Sequence, residues 1–230
     1  GIDFNKMKYW GADFTIIRAG QNLWIDPDFS KNWSEAKKSG ILRGAYYFFD
    51  PRVSPKAQAK LFCDLVKNDP PEGRMWIDLE FPSSWGGEYT NWTNWKIMCE
   101  EVKRISGLRV GIYTGAWWWN THLQGIDLKY FTQYPLWEAN YTDNPIYVKV
   151  SKGWDTCLLW QKGTPPIGID VGVESIEVDY NWFNGDLVEF QKEFGNATQP
   201  PIPPTQNTYP IINSLDITLD SGEKRLFVKK

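Results

Sequence analysis

At 230 residues, the chain has room for one large domain with a substantial core, and 25 Lys and Arg against 28 Asp and Glu leave a formal net charge of -3. No long basic run is present, which argues against nucleic acid or an anionic membrane surface as the main partner, because such footprints need clustered cations. Aromatic content stands out, with 14 Trp, 11 Tyr and 12 Phe, enough to dominate a core and still leave rings for a binding surface.

In chain order, Gly1-Ile2-Asp3 reads as a short opening strand and Phe14 to Ala19 as a second. Phe29 to Ser39 has helical spacing closed by Gly40, and Ile41 to Phe49 is a third strand. Ser54 as cap and Pro55 at the first helical position start another helix, carrying Leu61, Phe62, Leu65 and Val66 on one face. Pro70 and Pro71 stop it, and Met75 to Glu80 is the fourth strand.

A loop rich in Gly, Ser and aromatics leads to a helix with Trp95, Met98, Cys99, Val102 and Ile105, ended by Gly107, and Arg109 to Thr114 is the fifth strand. A helical stretch around Leu123 to Phe131 follows, then strands at Pro135 to Ala139, Thr156 to Trp160 and Ser175 to Asp179, joined by Pro- and Gly-containing segments without a helical pattern. Asp186 to Phe194 forms a short terminal helix. The pattern predicts an α/β barrel of eight strands, incomplete in its outer helices, over residues 1 to 195. Residues 196 to 207 read as a Pro-rich extended linker, and residues 208 to 230 as an extension or the start of a second module, with short strands around Ile211 to Leu219 and Arg225 to Val228.

Cys63, Cys99 and Cys157 form no CxxC pair and fall inside predicted elements, so they read as buried free thiols, with one disulfide among them as the alternative. No signal peptide or transmembrane run is read, and the strand-like opening is compatible with a leader removed ahead of Gly1.

The chemistry concentrates in Trp76-Ile77-Asp78-Leu79-Glu80. Side chains at i and i+2 of a strand share a face, so Asp78 and Glu80 stand together near its carboxyl end, where barrels place their active sites. Asp3 and Asp179 end the first and last predicted strands, which are neighbours in a closed barrel, so four acids are expected on one rim. Crowded carboxyls raise at least one pKa, and that keeps an acid protonated near neutrality. Glu80, longer and nearer the mouth, is the candidate general acid, with Asp78 ionised beside it, and a carboxyl pair of this kind is the apparatus for cleaving a glycosidic bond. A divalent cation would also suit such oxygens, but the chain has one His and no recognised metal-loop spacing, so no metal or cofactor is assigned. Tyr46, Tyr47, Tyr113, Trp137 and Gln161 lie on predicted strands, and Trp85 and Trp117 in predicted loops; these are the candidate substrate-binding side chains, as sugar platforms or hydrogen-bond donors, with core packing as the competing reading.

In this order along the chain, several segments resemble the glycoside hydrolase family 25 lysozymes, the Chalaropsis-type muramidases that include many phage and bacterial cell-wall lysins. They are Gly1-Ile2-Asp3, Ala12 to Gly20, Asp26-Pro27-Asp28-Phe29, Gly44-Ala45-Tyr46-Tyr47-Phe48, Ile77-Asp78-Leu79-Glu80, Gly111-Ile112-Tyr113-Thr114, Leu136 to Tyr141, Leu159-Trp160-Gln161 and Val178 to Gly185. The resemblance implies a flattened TIM-like barrel, (β/α)5β3, with eight strands and about five helices. It also implies hydrolysis of the β-1,4 bond from N-acetylmuramic acid to N-acetylglucosamine in bacterial peptidoglycan, by a secreted enzyme or a phage lysin acting on the cell wall. Carried over by position, Glu80 is the general acid, Asp78 its partner, and Asp3 and Asp179 further carboxylates of the cleft. Tyr47 departs from the family pattern, which has His there. The acidic balance lacks a general attraction to anionic wall polymers, and a wall-binding module beginning at residues 205 to 230 would compensate. The competing function is a carbohydrate-binding component of a lysis or wall-remodelling system that has lost turnover.

Overall fold

The computed structural model describes residues 1–80, 92–122, 125–163 and 167–195, together with the backbone of strands 215–218 and 224–227. Its centre is one curled eight-stranded sheet in the order β2-β1-β3-β4-β5-β6-β7-β8. The strands are β1 (Phe14–Gln21), β2 (Trp24–Ile25), β3 (Leu42–Phe48), β4 (Met75–Asp78), β5 (Val110–Gly115), β6 (Leu136–Ala139), β7 (Leu159–Gln161) and β8 (Asn181–Phe183). Neighbours from β1 through β7 run parallel, while β2 at one edge and β8 at the other are antiparallel.

Among the described residues, seven α-helices accompany the sheet: α1 (Phe4–Trp10), α2 (Phe29–Ser39), α3 (Pro55–Val66), α4 (Trp92–Ser106), α5 (Ala116–Trp119), α6 (Leu128–Phe131) and α7 (Leu187–Phe194). The strongest start signals hold: Ser54 caps α3 with Pro55 in its first turn, and Asp186 and Glu189 form a reciprocal capping box on α7. Between β6 and β7 the parallel crossover contains only a single 3₁₀ turn, Pro145–Tyr147, in place of a helix.

Strand parity sorts the core into two layers. Met75 and Ile77 of β4 face the helices with Val110 and Ile112 of β5, whereas Trp76 and Tyr113 turn into the curl beside Trp137 and Leu159. The three cysteines are buried and not joined in disulfides, in line with the thiol reading. Beyond the barrel, β9 (Leu215–Thr218) and β10 (Lys224–Phe227) pair antiparallel; the linker 196–207 lies outside the described residues.

The expected eight strands are present, but their membership differs. Gly1-Ile2-Asp3 is no strand of the sheet: Ile2 makes one isolated antiparallel bridge to Val173, and Asp3 instead caps α1, its carboxylate accepting from Lys6 N at 2.9 Å. A capped helix satisfies more backbone donors than a three-residue strand, and α1 takes the chain at once. The eighth strand is supplied by β2, which folds back on the end of β1. The last strand is Asn181–Phe183, not Ser175 to Asp179, where only Glu177 bridges Ile167. Trp117 to Trp119 is not a loop but α5, with Trp118 and Trp119 buried; of the predicted Leu123 to Phe131 helix, the described part is the single turn α6. Among the described residues, seven α-helices therefore stand where about five were expected, the additional ones being α1 and α5.

Candidate active site

Asp78 is the last residue of β4 and points into the curl, 4% exposed. Leu79 turns the opposite way into the helix-packed core, and its backbone is held on both sides: its N–H donates to Tyr113 O at 2.9 Å, and its carbonyl accepts from the Thr114 hydroxyl at 2.9 Å. That clamp returns Glu80 to the same face as Asp78. Both carboxyls line a cavity of about 620 Å³, and Asp179, two residues before β8, joins them there.

The cavity wall comes from inward positions of successive strands. Tyr46 of β3, Tyr113 of β5, Trp137 of β6, Gln161 of β7 and Asn181 of β8 all line it. Trp137 is the hub, with ring centroids 4.5 Å from Tyr113, 5.7 Å from Trp76 and 6.1 Å from Tyr46, each edge-on. Its indole N–H donates to Asn181 Oδ1 at 2.8 Å. The Tyr113 hydroxyl donates to Gln161 Oε1 at 2.8 Å, and the Tyr141 hydroxyl donates to the same oxygen at 3.3 Å. The result is an aromatic box whose polar groups are fixed in place.

Burial, followed by the nearby Asp179 carboxylate, pushes the Glu80 carboxyl up from 4.5 to about 7. Asp78 is also held well above the usual carboxylate range, first by burial and then by Glu80, with the Arg18 guanidinium opposing. Its Oδ1 is buried without a hydrogen-bond partner. Asp179 is raised by burial and by Glu177. Burial and the same carboxylates raise Tyr46, Tyr113 and Tyr141, so these hydroxyls remain donors near neutrality. Three interacting carboxyls with raised affinity for protons can hold one acid protonated beside an ionised neighbour.

Several expected residues lie elsewhere. Asp3 is an exposed helix cap outside the cavity, because α1 and not a strand follows it. Tyr47 has the opposite parity to Tyr46: it packs on Phe62 of α3, and its hydroxyl donates to Asn22 O. Trp117 is 59% exposed on α5, beyond the end of β5, and does not line the cavity. Trp85 lies outside the described residues. His122 stacks on Trp118 and contacts its carbonyl, away from the carboxyls. Arg18, Tyr141 and Asn181 line the cavity and were not singled out as site residues; a lone Arg inside the apolar run Ile16-Ile17-Arg18-Ala19 was the available signal for the first. Among the described residues, no group of three or more His, Cys, Asp or Glu is placed to hold a metal ion. No helix among them is long and apolar enough to cross a membrane.

A curled parallel sheet with carboxyls gathered past the carboxyl end of a central strand, above an aromatic floor, defines a barrel-type glycoside hydrolase architecture. Within that class the chain belongs to glycosyl hydrolases family 25, whose model matches residues 1–163. It is 33% identical over 189 residues to the uncharacterized protein YegX of Escherichia coli (strain K12), covering 77% of this chain and 61% of that protein. Lysozyme M1 of Streptomyces globisporus is 30% identical over 194 residues, covering 80% of this chain and 64% of that protein. The chain thus spans less than two thirds of the length of these relatives. Among solved structures, the bacterial lysozyme of Streptomyces coelicolor superposes with a TM-score of 0.68 at 28% identity, over 85% of this chain and 91% of that one.

Proposed function

We propose that this domain is a muramidase that hydrolyses the β-1,4 bond between N-acetylmuramic acid and N-acetylglucosamine in bacterial peptidoglycan. The observation that carries the reading is the position of Glu80 and Asp78, side by side past the end of β4 in an aromatic cavity, in a chain of family 25. Glu80 donates its proton to the leaving glycosidic oxygen, a role suited to a carboxyl that stays protonated to about pH 7. Asp78 is its coupled partner, whose ionised form the Arg18 guanidinium favours against the upward push of burial and Glu80; the unpaired Oδ1 supports a role in orienting the acetamido group of the muramyl residue as it attacks the anomeric carbon. Asp179 supports the acid by electrostatic repulsion. Tyr46, Tyr113, Trp137 and Gln161 shape the sugar site, and action on the wall from outside the bacterium or as a phage lysin follows from the substrate.

The test is digestion of purified peptidoglycan with and without a chelator, reduction of the products, and mass spectrometry of the new ends. Reduced muramic acid ends, unaffected by chelation and lost in Glu80→Gln, are expected. Reduced glucosamine ends, peptide cleavage, or full activity in Glu80→Gln would overturn the reading.

A further inference from the structure

The catalytic cavity does not end at its carboxyls. Arg18 on β1 lines both it and an adjoining open depression of about 550 Å³, formed with Gln21, Asn22, Leu23 and Trp24 of the β1–β2 hairpin. Three features show that this hairpin is built rather than incidental. Asn22 has φ 54, the one positive φ outside glycine among the described residues, and such backbone persists where the surroundings enforce it. Its carbonyl accepts from the Tyr47 hydroxyl beneath, and its side-chain amide lies 3.4 Å from Asp50 Oδ2. On this braced turn, Leu23, Trp24 and Ile25 are 56%, 49% and 43% exposed, three consecutive large apolar side chains facing solvent beside an active site.

Charge identifies what would lie there. Among the described residues lining the cavity, Arg18 is the only cation, against six carboxyl side chains, Asp13, Asp26, Asp78, Glu80, Asp179 and Asp186. Within the described lining, Arg18 is thus the side chain that offers an anionic substituent on the substrate a positive charge. The guanidinium donates to Gln21 Oε1, sits 5.6 Å from the Trp24 ring, and keeps a buried Nε–H with no partner. With Arg18 over it, the indole presents a cationic plane rather than a bare sugar platform, and a planar guanidinium is matched to a carboxylate.

We propose that the β1–β2 hairpin is the binding site for the carboxylate-bearing stem peptide carried on the lactyl group of the muramyl residue, with Arg18 taking the carboxylate and Leu23 and Trp24 packing on its alanyl methyls and lysyl methylenes. The assignment rests on the muramidase reading and makes the preferred substrate peptide-substituted glycan rather than bare glycan.

Calorimetric titration of the Glu80→Gln chain tests it with three probes: a GlcNAc-MurNAc tetrasaccharide without peptide, the same tetrasaccharide bearing L-Ala-γ-D-Glu-L-Lys-D-Ala stems, and that tetrapeptide alone. The substituted glycan is expected to bind about tenfold more tightly than the bare one, with the ratio falling to about twofold or less in both Arg18→Met and Trp24→Ala and partly retained in Arg18→Lys. Because Trp24 is half exposed, Trp24→Ala keeps the question answerable should Arg18→Met not fold. A ratio near one in the parent, a ratio that survives both substitutions, or affinity that follows sugar count instead of peptide overturns the proposal. If neither glycan binds, the muramidase reading falls, and the free tetrapeptide still decides the hairpin. Shifts of the Trp24 indole and Asn22 amide resonances that vanish in Arg18→Met sustain a peptide site, and their absence overturns it.

Discussion

Neutralising Asp179 should move the alkaline limit of activity while leaving the acid side nearly unchanged. Burial and the Asp179 carboxylate together carry Glu80 from 4.5 to about 7, and burial is the larger cause. Asp179→Asn therefore removes less than half of that rise, bringing the Glu80 carboxyl down by about one pH unit. At pH 8 the protonated fraction of Glu80 falls from about 10% to about 1%, a tenfold loss of the competent acid, whereas at pH 5 it stays near about 90% or above. The absolute rate of the variant also reflects whatever Asp179 does for the substrate, so the diagnostic quantity is the ratio of kcat/KM at pH 8 to that at pH 5. Release of reducing ends from soluble peptidoglycan fragments, followed across pH 4 to 9, measures it. A ratio equal to that of the parent, or an alkaline limb moved upward, in a variant with a native circular dichroism spectrum, would show that Asp179 does not act on the Glu80 proton.

Three further expectations concern the scaffold. Glu138 is fully buried, accepting from Ala116 N at 2.6 Å and Ser151 N at 2.7 Å, and burial raises it from 4.5 to about 7 in spite of those bonds. The folded state then holds this proton more tightly than the unfolded chain, so its contribution is fully present below about pH 4.5 and lost as pH rises through about 7, roughly 3 kcal/mol in all. Urea titrations of Glu138→Gln against the parent should show a stability difference that shifts in favour of the variant over that window; a flat difference refutes the linkage. In Gly111→Ala the new methyl would lie 2.4 Å from Trp76 Cζ3, overpacking the cavity floor at a cost of about 1–3 kcal/mol, or about 2–4 °C in Tm per kcal/mol, and an unchanged melting curve would contradict that packing. Arg43, buried with Asp69 at 2.7 Å and Glu72 at 2.8 Å and lying 4.4 Å from the Trp33 ring, should cost about 3 kcal/mol when replaced by Met, the lower end for a broken buried pair because both acids keep access to water; a loss under about 1 kcal/mol in chemical denaturation would mean the cluster is not structural.

What could be read from the sequence follows the range of the forces involved. The bounds of α2 and α3 were legible because Gly40 and the Ser54-Pro55 pair are local signals. Asp78 and Glu80 were legible as a pair because strand parity is local too. The inward faces of Tyr113, Trp137 and Gln161 follow from the same period once the strands are placed. Tyr46 and Tyr47 are adjacent, so only one could face the cavity, and which one depends on pairing of β3 with β1 and β4, a long-range matter. Asp3 misled because an acid after two strand-like residues and an acid heading a helix look alike until the partner of the segment is known. The two residues of β2 are too few to carry a pattern, and the burial of Trp118 and Trp119 comes from Trp95 and Trp154, distant in sequence.

The way α7 docks has a bearing on the architecture of the barrel. Glu193 is gripped by Arg74 at 2.9 Å and Arg109 at 3.3 Å, and Phe194 closes over Gly73, where any Cβ would lie 2.6 Å from its ring. Gly73, Arg74 and Arg109 all sit just ahead of β4 and β5, at the end opposite Glu80. α7 therefore braces the barrel from its underside, as a keel braces a hull.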